Sequence, residues 1–482
     1  MPSSPPLVVW LVLLLAALGH AANKERLLGS YIFHRHGDRS AKAWKPVNLT
    51  ALGAAQVHSS GVFYRDRYLS GSGRFHMAAL SPETAVPAQL SVSSPHDVVL
   101  HNSAVAFLQG LYPPTAAAAD RLANGSLIQS PLHGYQYVPV NGPADSEAAL
   151  AAPSSRQLED SAWLQGGSGC SRAQVSSNDY LTTPDYRRDF DDSRAFYQSL
   201  LPVINHTYDE AAATFKNAYS IFDLINAASI HNSTIPSSGL VTPAARSQLY
   251  HLASVHEWNL AFNASQSVRA IAGAVFAGQV LNSLQALVDA RPDAPYLNAQ
   301  FGPYGTFMAF FGLAQLHAVS SDFMAICDYA SSMVFELVTS SDAATVAPQD
   351  IFVQFSFANG SAADSGLKLF PLFGQNKLAL PWPEFKTAMS SFAVADSKHW
   401  CDLCGNTSGK CAAYQASGSG PSSSSSHDSG VSKPVAGVIG ALVTLVIILA
   451  LQATVMLIGG LRLVRKSTIQ KNHLTDISAI KA

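Results

Sequence analysis

The sequence predicts an α/β fold, a core sheet flanked by helices, assembled from both ends of one domain with a mainly helical insertion between them. Three observations predict it. The apolar run Leu27 to Phe33 has the length of a buried strand and leads through a polar loop into a helix-like stretch, Leu52 to Tyr68 (LGAAQVHSSGVFYRDRY). The middle of the chain is dominated by helical patterns. Later, DIFVQFSFANG at Asp350 to Gly360 alternates as a strand does.

Ahead of the first strand, residues 1–21 read as a secretory signal peptide: Leu7 to Leu18 is apolar, small residues follow, and a cut fits between Ala21 and Ala22. The domain itself is expected over residues 22–414, with the helical cap at roughly 165–290. Within that cap, DYRRDFDDSRAFYQSLL at Asp185 to Leu201 and the apolar-periodic stretch Ser247 to Asp289 both read as helical, with Pro and Asn punctuation between them. Residues 415–433 form a Ser/Gly-rich linker whose His427-Asp428 pair has no rigid support. Residues 434–461 carry no charge and exceed the roughly 20 residues needed to span a bilayer. Arg462, Arg465, Lys466 and Lys471 follow, which assigns the tail, residues 462–482, to the cytosol.

With 482 residues, 48% of them apolar, the chain can bury a sizeable core, and a net charge of -2 gives no electrostatic argument for a nucleic-acid partner. Asn-x-Ser/Thr acceptors at Asn48, Asn124, Asn205, Asn232, Asn263, Asn359 and Asn406 all lie between the two apolar segments, as passage through the secretory pathway requires. The expected topology is therefore a single-pass type I glycoprotein of the endolysosomal or cell-surface membrane, its domain lumenal or extracellular. The five cysteines sit in that same region, where disulfides persist. Cys327, in the apolar context FMAICDYA, reads as the buried, unpaired one. Cys401-x-x-Cys404 has no second such pair and no paired histidine near it, so it reads as structural; no metal site is expected.

The chemistry concentrates in YIFHRHGDRS, residues 31–40. In open α/β sheets ligands bind beyond the carboxyl ends of strands, which is where Arg35-His36-Gly37-Asp38-Arg39 falls. Gly37 lets the backbone approach a ligand, two guanidiniums offer forked donors to an oxyanion, and His36 has the chemistry of a nucleophile or base. His34 alternates to the other face of the strand and is expected to pack or hydrogen-bond locally.

This stretch resembles the R-H-G-x-R-x-P signature of the histidine acid phosphatases, with Ala41 in place of the proline. The resemblance continues through Leu49-Thr50-Ala51-Leu52-Gly53, through Leu111-Tyr112-Pro113-Pro114, and to His399-Trp400 with Cys404 four residues after the tryptophan. It covers most of Leu27 to Cys411 and is nearest the membrane-bound and lysosomal type. It implies a histidine-phosphatase-like core sheet, a transiently phosphorylated His36, Arg35 and Arg39 on the phosphoryl oxygens, no cofactor, and disulfides Cys170 to Cys404 and Cys401 to Cys411. A phosphorylated small molecule or a phosphoprotein is the implied ligand.

Three positions depart from that family's pattern. Its third arginine aligns with Ser93 in VSSPHDVV, and its late His-Asp pair aligns with Gln300-Phe301 in YLNAQFG. Serine is too short and uncharged to replace the arginine; glutamine still donates a hydrogen bond, but phenylalanine cannot transfer a proton. His96-Asp97 falls near the missing arginine and reads as a solvated loop pair. The expectation is a degenerate phosphatase, impaired or inactive towards alkyl phosphates, set against a working acid phosphatase using phospho-His36 and against a structural or trafficking glycoprotein.

Overall fold

Strand β1 (Arg26–Arg35) is the axis of the domain, and its near-continuous apolar sequence reflects burial on both faces. The computed structural model describes residues 25–70, 75–142, 169–235 and 239–415. The expected signal peptide, the membrane span, the tail and nearly all of the linker, with His427-Asp428, lie outside the described residues.

Around β1 the sheet adds β2 (Leu90–Ser93), β5 (Leu297–Gly302), β6 (Ser332–Thr339), β7 (Ile351–Ala358), β8 (Lys368–Leu369) and β9 (Ala379–Pro381), while β3 (Ala119–Arg121) and β4 (Leu127–Gln129) form a separate hairpin. The order is β2-β5-β1-β6-β7-β8, with β9 also on β7. β2, β5 and β1 run parallel and the remaining pairings are antiparallel. The parallel strands all end at one edge, so Arg35, Gly302 and Ser93 arrive together at the rim where a ligand would sit.

Alternation along β1 splits the core in two. Ile32, with Ala299, Phe301 and Val334, packs against Tyr64 and Phe107 of the helices Ala51–Tyr68 and Val98–Leu111. Tyr31 and Phe33 pack on the opposite face against Phe276 of the helix Ile271–Val288 and Phe307 of the helix Tyr304–Leu313. Phe33 lies between those two rings at centroid distances of 4.8 and 5.0 Å. At about 25 cal/mol per Å² of apolar surface, such aromatic burial contributes favourably to the stability of the domain.

A third cluster is the cap. Tyr180, Tyr197, Phe215, Ile221 and Leu249 join the helices Ser171–Tyr180, Pro184–Ser199, Ala218–His231 and Pro243–Ala261. Ala41, from the loop after β1, is buried in this same cluster. The cap ends earlier than its sequence suggests. The stretch read as helical from Ser247 to Asp289 is two helices broken around Phe262, and the second, Ile271–Val288, belongs to the core because it is apolar on nearly every side. Among the described residues Ser267–Val288 alone is long and apolar enough to cross a membrane, and its burial under the sheet accounts for that composition.

Disulfides join Cys170 to Cys404 and Cys401 to Cys411, tying the start of the cap to the C-terminal helix Ser397–Cys404; Cys327 is free and buried. Asn48, Asn124, Asn205, Asn232 and Asn359 are exposed and Asn263 and Asn406 half-buried. The amide of Asn406 donates to the Gly169 carbonyl at 3.0 Å.

Candidate active site

The strand β1 continues two residues past Phe33, so His34 and Arg35 are paired in the sheet and His36 is the first residue beyond it. The loop can turn at once because Gly37 meets Gly53 of the next helix backbone to backbone. A Cβ on Gly37 would lie 2.1 Å from the Gly53 carbonyl oxygen, and one on Gly53 would lie 2.0 Å from that of Asp38. Thr50 caps the same helix by accepting from Gly53 N at 3.0 Å. The two glycine-bearing motifs of the sequence are thus the two sides of a single contact.

His36 is buried, and its Nδ1 lies 2.8 Å from the Gly37 carbonyl. A carbonyl only accepts, so Nδ1 carries the proton and Nε2 keeps its lone pair. Burial, then the charges of Arg35 and Arg39, hold the imidazole well below its ordinary pKa of 6.5. A neutral ring with a free Nε2 is the nucleophilic form.

The arginines are deeply buried, at 4% and 1% exposure. Arg35 Nη1 donates to the Cys327 carbonyl, and its guanidinium lies over Tyr329 at 4.7 Å and Tyr304 at 5.3 Å. Arg39 faces Asp223 with both prongs, Nη2 to Oδ1 at 2.7 Å and Nη1 to Oδ2 at 3.2 Å, while Nη2 also donates to the Tyr219 hydroxyl at 3.0 Å. Arg35 Nε and Arg39 Nε are both buried without any partner. Two orphaned cationic donors beside a neutral histidine have the chemistry to hold an anion.

The structure brings Arg35, His36 and Arg39 together but leaves Gln300 and Phe301 behind. Gln300 accepts from the Tyr31 hydroxyl and donates to Gln279 at 2.9 Å; Phe301 packs on His34 and Phe107 at centroid distances of 5.2 and 5.5 Å. Ser93 is the register partner of Gln300, so these positions are neighbours. His34 is fully buried, its Nδ1 2.6 Å from the Arg35 carbonyl, and burial pushes its pKa down to about 4. Asp97 ends its loop as the N-cap of the helix Val98–Leu111, accepting from Leu100 N at 2.8 Å, so its carboxylate serves the helix and not solvent alone. Among the described residues no group of His, Cys, Asp or Glu could hold a metal ion.

Sequence reasoning missed the groups that complete the site from a distance. Tyr219, Asp223 and His231 come from one cap helix, Ala218–His231, and reach the loop after β1. Asp223 Oδ2 also accepts from Lys42 N at 2.7 Å, and His231 Nε2 lies 2.6 Å from Asp38 Oδ2. Asp223 had a visible signal, as the lone carboxylate of an otherwise apolar helix (AYSIFDLINAASIH). Tyr329 had none.

No family model matches the chain. No curated protein matches it either. Solved structures do. The apo phytase of Hafnia alvei superposes with a TM-score of 0.52 at 13% identity, covering 80% of this chain and 99% of its own. The phytase of Klebsiella sp. ASR1 gives 0.52 at 12% identity over 78% and 99%. The phytase of Citrobacter braakii gives 0.50 at 12% over 77% and 98%. At such identities the likeness concerns architecture alone: the chain shares the fold of these phytases.

Proposed function

We propose that the chain is a membrane-anchored, glycosylated phosphomonoester-binding protein of the histidine acid phosphatase type, in which His36 accepts a phosphoryl group and turnover is slow. The observation that carries this reading is the pair of unpartnered, buried Nε–H groups of Arg35 and Arg39 beside a neutral imidazole. A phosphate supplies acceptors for those donors, and Nε2 of His36 is the lone pair that would attack its phosphorus.

The slowness follows from what is absent around the site. The position aligned with the third arginine is Ser93, Gln300 is engaged by Tyr31 and Gln279, and Phe301 packs on His34 and Phe107. One oxyanion donor contributes about 10²- to 10³-fold, and a general acid placed at positions 300 and 301 would contribute about 10²- to 10⁴-fold. Arg39, moreover, has most of its donors spent on Asp223, Tyr219 and the Ser40 carbonyl. Esters with good leaving groups are expected to react fastest, and alkyl esters more slowly. A type I topology at the endolysosomal or cell surface, with the site lumenal or extracellular, belongs to the same proposal.

The test is hydrolysis of an aryl phosphate near pH 5 by the purified full-length chain beside His36→Ala, together with trapping of an acid-labile phosphoprotein. Label retained by the wild type and absent from the variant supports the reading. No label and no hydrolysis in either would reduce the site to anion binding or a structural role.

A further inference from the structure

Three tyrosines surround the two arginines, and their hydroxyls are committed differently. The Tyr219 hydroxyl accepts from Arg39, and that of Tyr304 donates to Glu257 Oε2 at 2.7 Å. The Tyr329 ring lies 5.6 Å from the His36 ring and stacks on Arg35. Its hydroxyl bonds to no described residue and is not among the fully buried orphan atoms, so the half-buried side chain keeps this group partly open to solvent. The charges of Arg39, Asp223 and Arg35 all act on it.

The segment carrying Tyr329 is fixed to the end of β1. Arg35 N donates to the Ser331 carbonyl at 2.8 Å, Ala330 N donates to the His36 carbonyl at 2.9 Å, and the Arg35 side chain holds the Cys327 carbonyl. Ala330 sits at a φ of +61°, a left-handed conformation that a residue with a Cβ adopts only when its surroundings impose it. The nearby carboxylates are held elsewhere: Asp223 by Arg39, Glu257 by Tyr304, and Asp38 through its Oδ2 by His231 and Thr50, its Oδ1 being buried without a partner. Asp328 is exposed, and its charge falls on Tyr250 and Cys327.

We propose that Tyr329 donates the proton to the leaving oxygen during phosphorylation of His36, a role for which positions 300 and 301 offer no group. This rests on the reading of His36 as phosphoryl acceptor. In the first step the His36 Nε2–P bond forms as the ester P–O bond breaks, and the departing oxygen takes the phenolic proton. In the second step the phenolate takes a proton from water as the water oxygen bonds to phosphorus and the N–P bond breaks. Inorganic phosphate leaves, and the phenol and neutral imidazole are restored. Burial pushes the Tyr329 hydroxyl up to about 12 while the two arginines oppose the rise, so the phenolate remains a weaker base than an alkoxide.

The experiment compares kcat/KM of the full-length chain and of Tyr329→Phe across phosphate monoesters whose leaving groups run from nitrophenol to a simple alcohol. The variant is expected to stay within about threefold of wild type on the best aryl ester and to lose about 10²-fold or more on the alkyl ester, steepening the dependence on leaving-group pKa. Tyr304→Phe, which keeps a ring on Arg35, should leave that dependence at its wild-type slope. An equal loss on every ester, or no loss, overturns the proposal. On the wild type alone, a solvent deuterium isotope effect confined to alkyl esters supports it, and equal effects on both classes overturn it. Phosphate trapping on His36 keeps the two readings apart: no label refutes the phosphoryl-acceptor reading, whereas label with an unchanged slope refutes the role of Tyr329 alone.

Discussion

Arg39 is held by Asp223 in a two-pronged pair buried on both sides, at 2.7 and 3.2 Å, with only Nε of its guanidinium free of any partner. The pair fixes the loop after β1 to the cap helix and offsets one of the two positive charges beside His36. Truncating one partner of a buried pair typically costs about 3–5 kcal/mol because the other charge stays buried. Asp223→Asn is therefore expected to lower thermal stability by an amount in that range while tightening inorganic phosphate binding. Melting curves and calorimetric titration with phosphate check it; unchanged stability would mean that the pair does not hold the loop.

The second prediction concerns Phe301, which packs in the core against His34 and Phe107, themselves in contact. Phe301→Asp should destabilise the fold by at least about 3 kcal/mol, from the lost ring and the buried carboxylate, and should bring no gain on alkyl phosphates. A stable and faster variant would show that this position reaches the reacting group after all.

His34 makes stability depend on pH. Its pKa is about 4 in the folded chain against an ordinary 6.5. Its contribution is fully present above pH 6.5, where both states are neutral, and is lost as pH falls towards 4, because the unfolded chain binds a proton that the folded chain refuses. The total is on the order of 3 kcal/mol. His34→Leu should narrow the difference in melting temperature between pH 7 and pH 5; an unchanged difference would place the sensitivity elsewhere.

The fourth prediction is kinetic. Because His36 is held neutral well below pH 6.5, the acid limb of kcat/KM for an aryl phosphate should also lie well below 6.5. A limb near the ordinary histidine value would show that the arginines do not act on the nucleophile as their burial implies.

The strand, loop and helix at the start of the domain were legible because an apolar run followed by 3.6-residue periodicity is set by local sequence. The strand nonetheless outruns its apolar stretch. His34 and Arg35 are polar by type yet buried, so composition marks an end to the strand that pairing with Phe301 and Gly302 does not respect. The helix Ile271–Val288 was assigned to the cap because periodicity reveals that a helix has an apolar face and not what that face covers. Arg35, His36 and Arg39 were readable as a cluster because they fall within one five-residue stretch, Arg35 to Arg39. Tyr219, Asp223, His231 and Tyr329 were not, since only tertiary packing brings them to the loop.

The contacts from the helix Ala218–His231 also set when the site can exist. Asp38 is made 193 residues before His231, and Arg39 184 residues before Asp223. On a growing chain the RHGDR loop emerges long before the side chains that fix it, so its geometry waits on translation of the cap. For the same reason the cap is no exchangeable cassette: a helix grafted from a relative would have to bring its own tyrosine, carboxylate and imidazole at the same spacing, or the loop beneath would lose its shape.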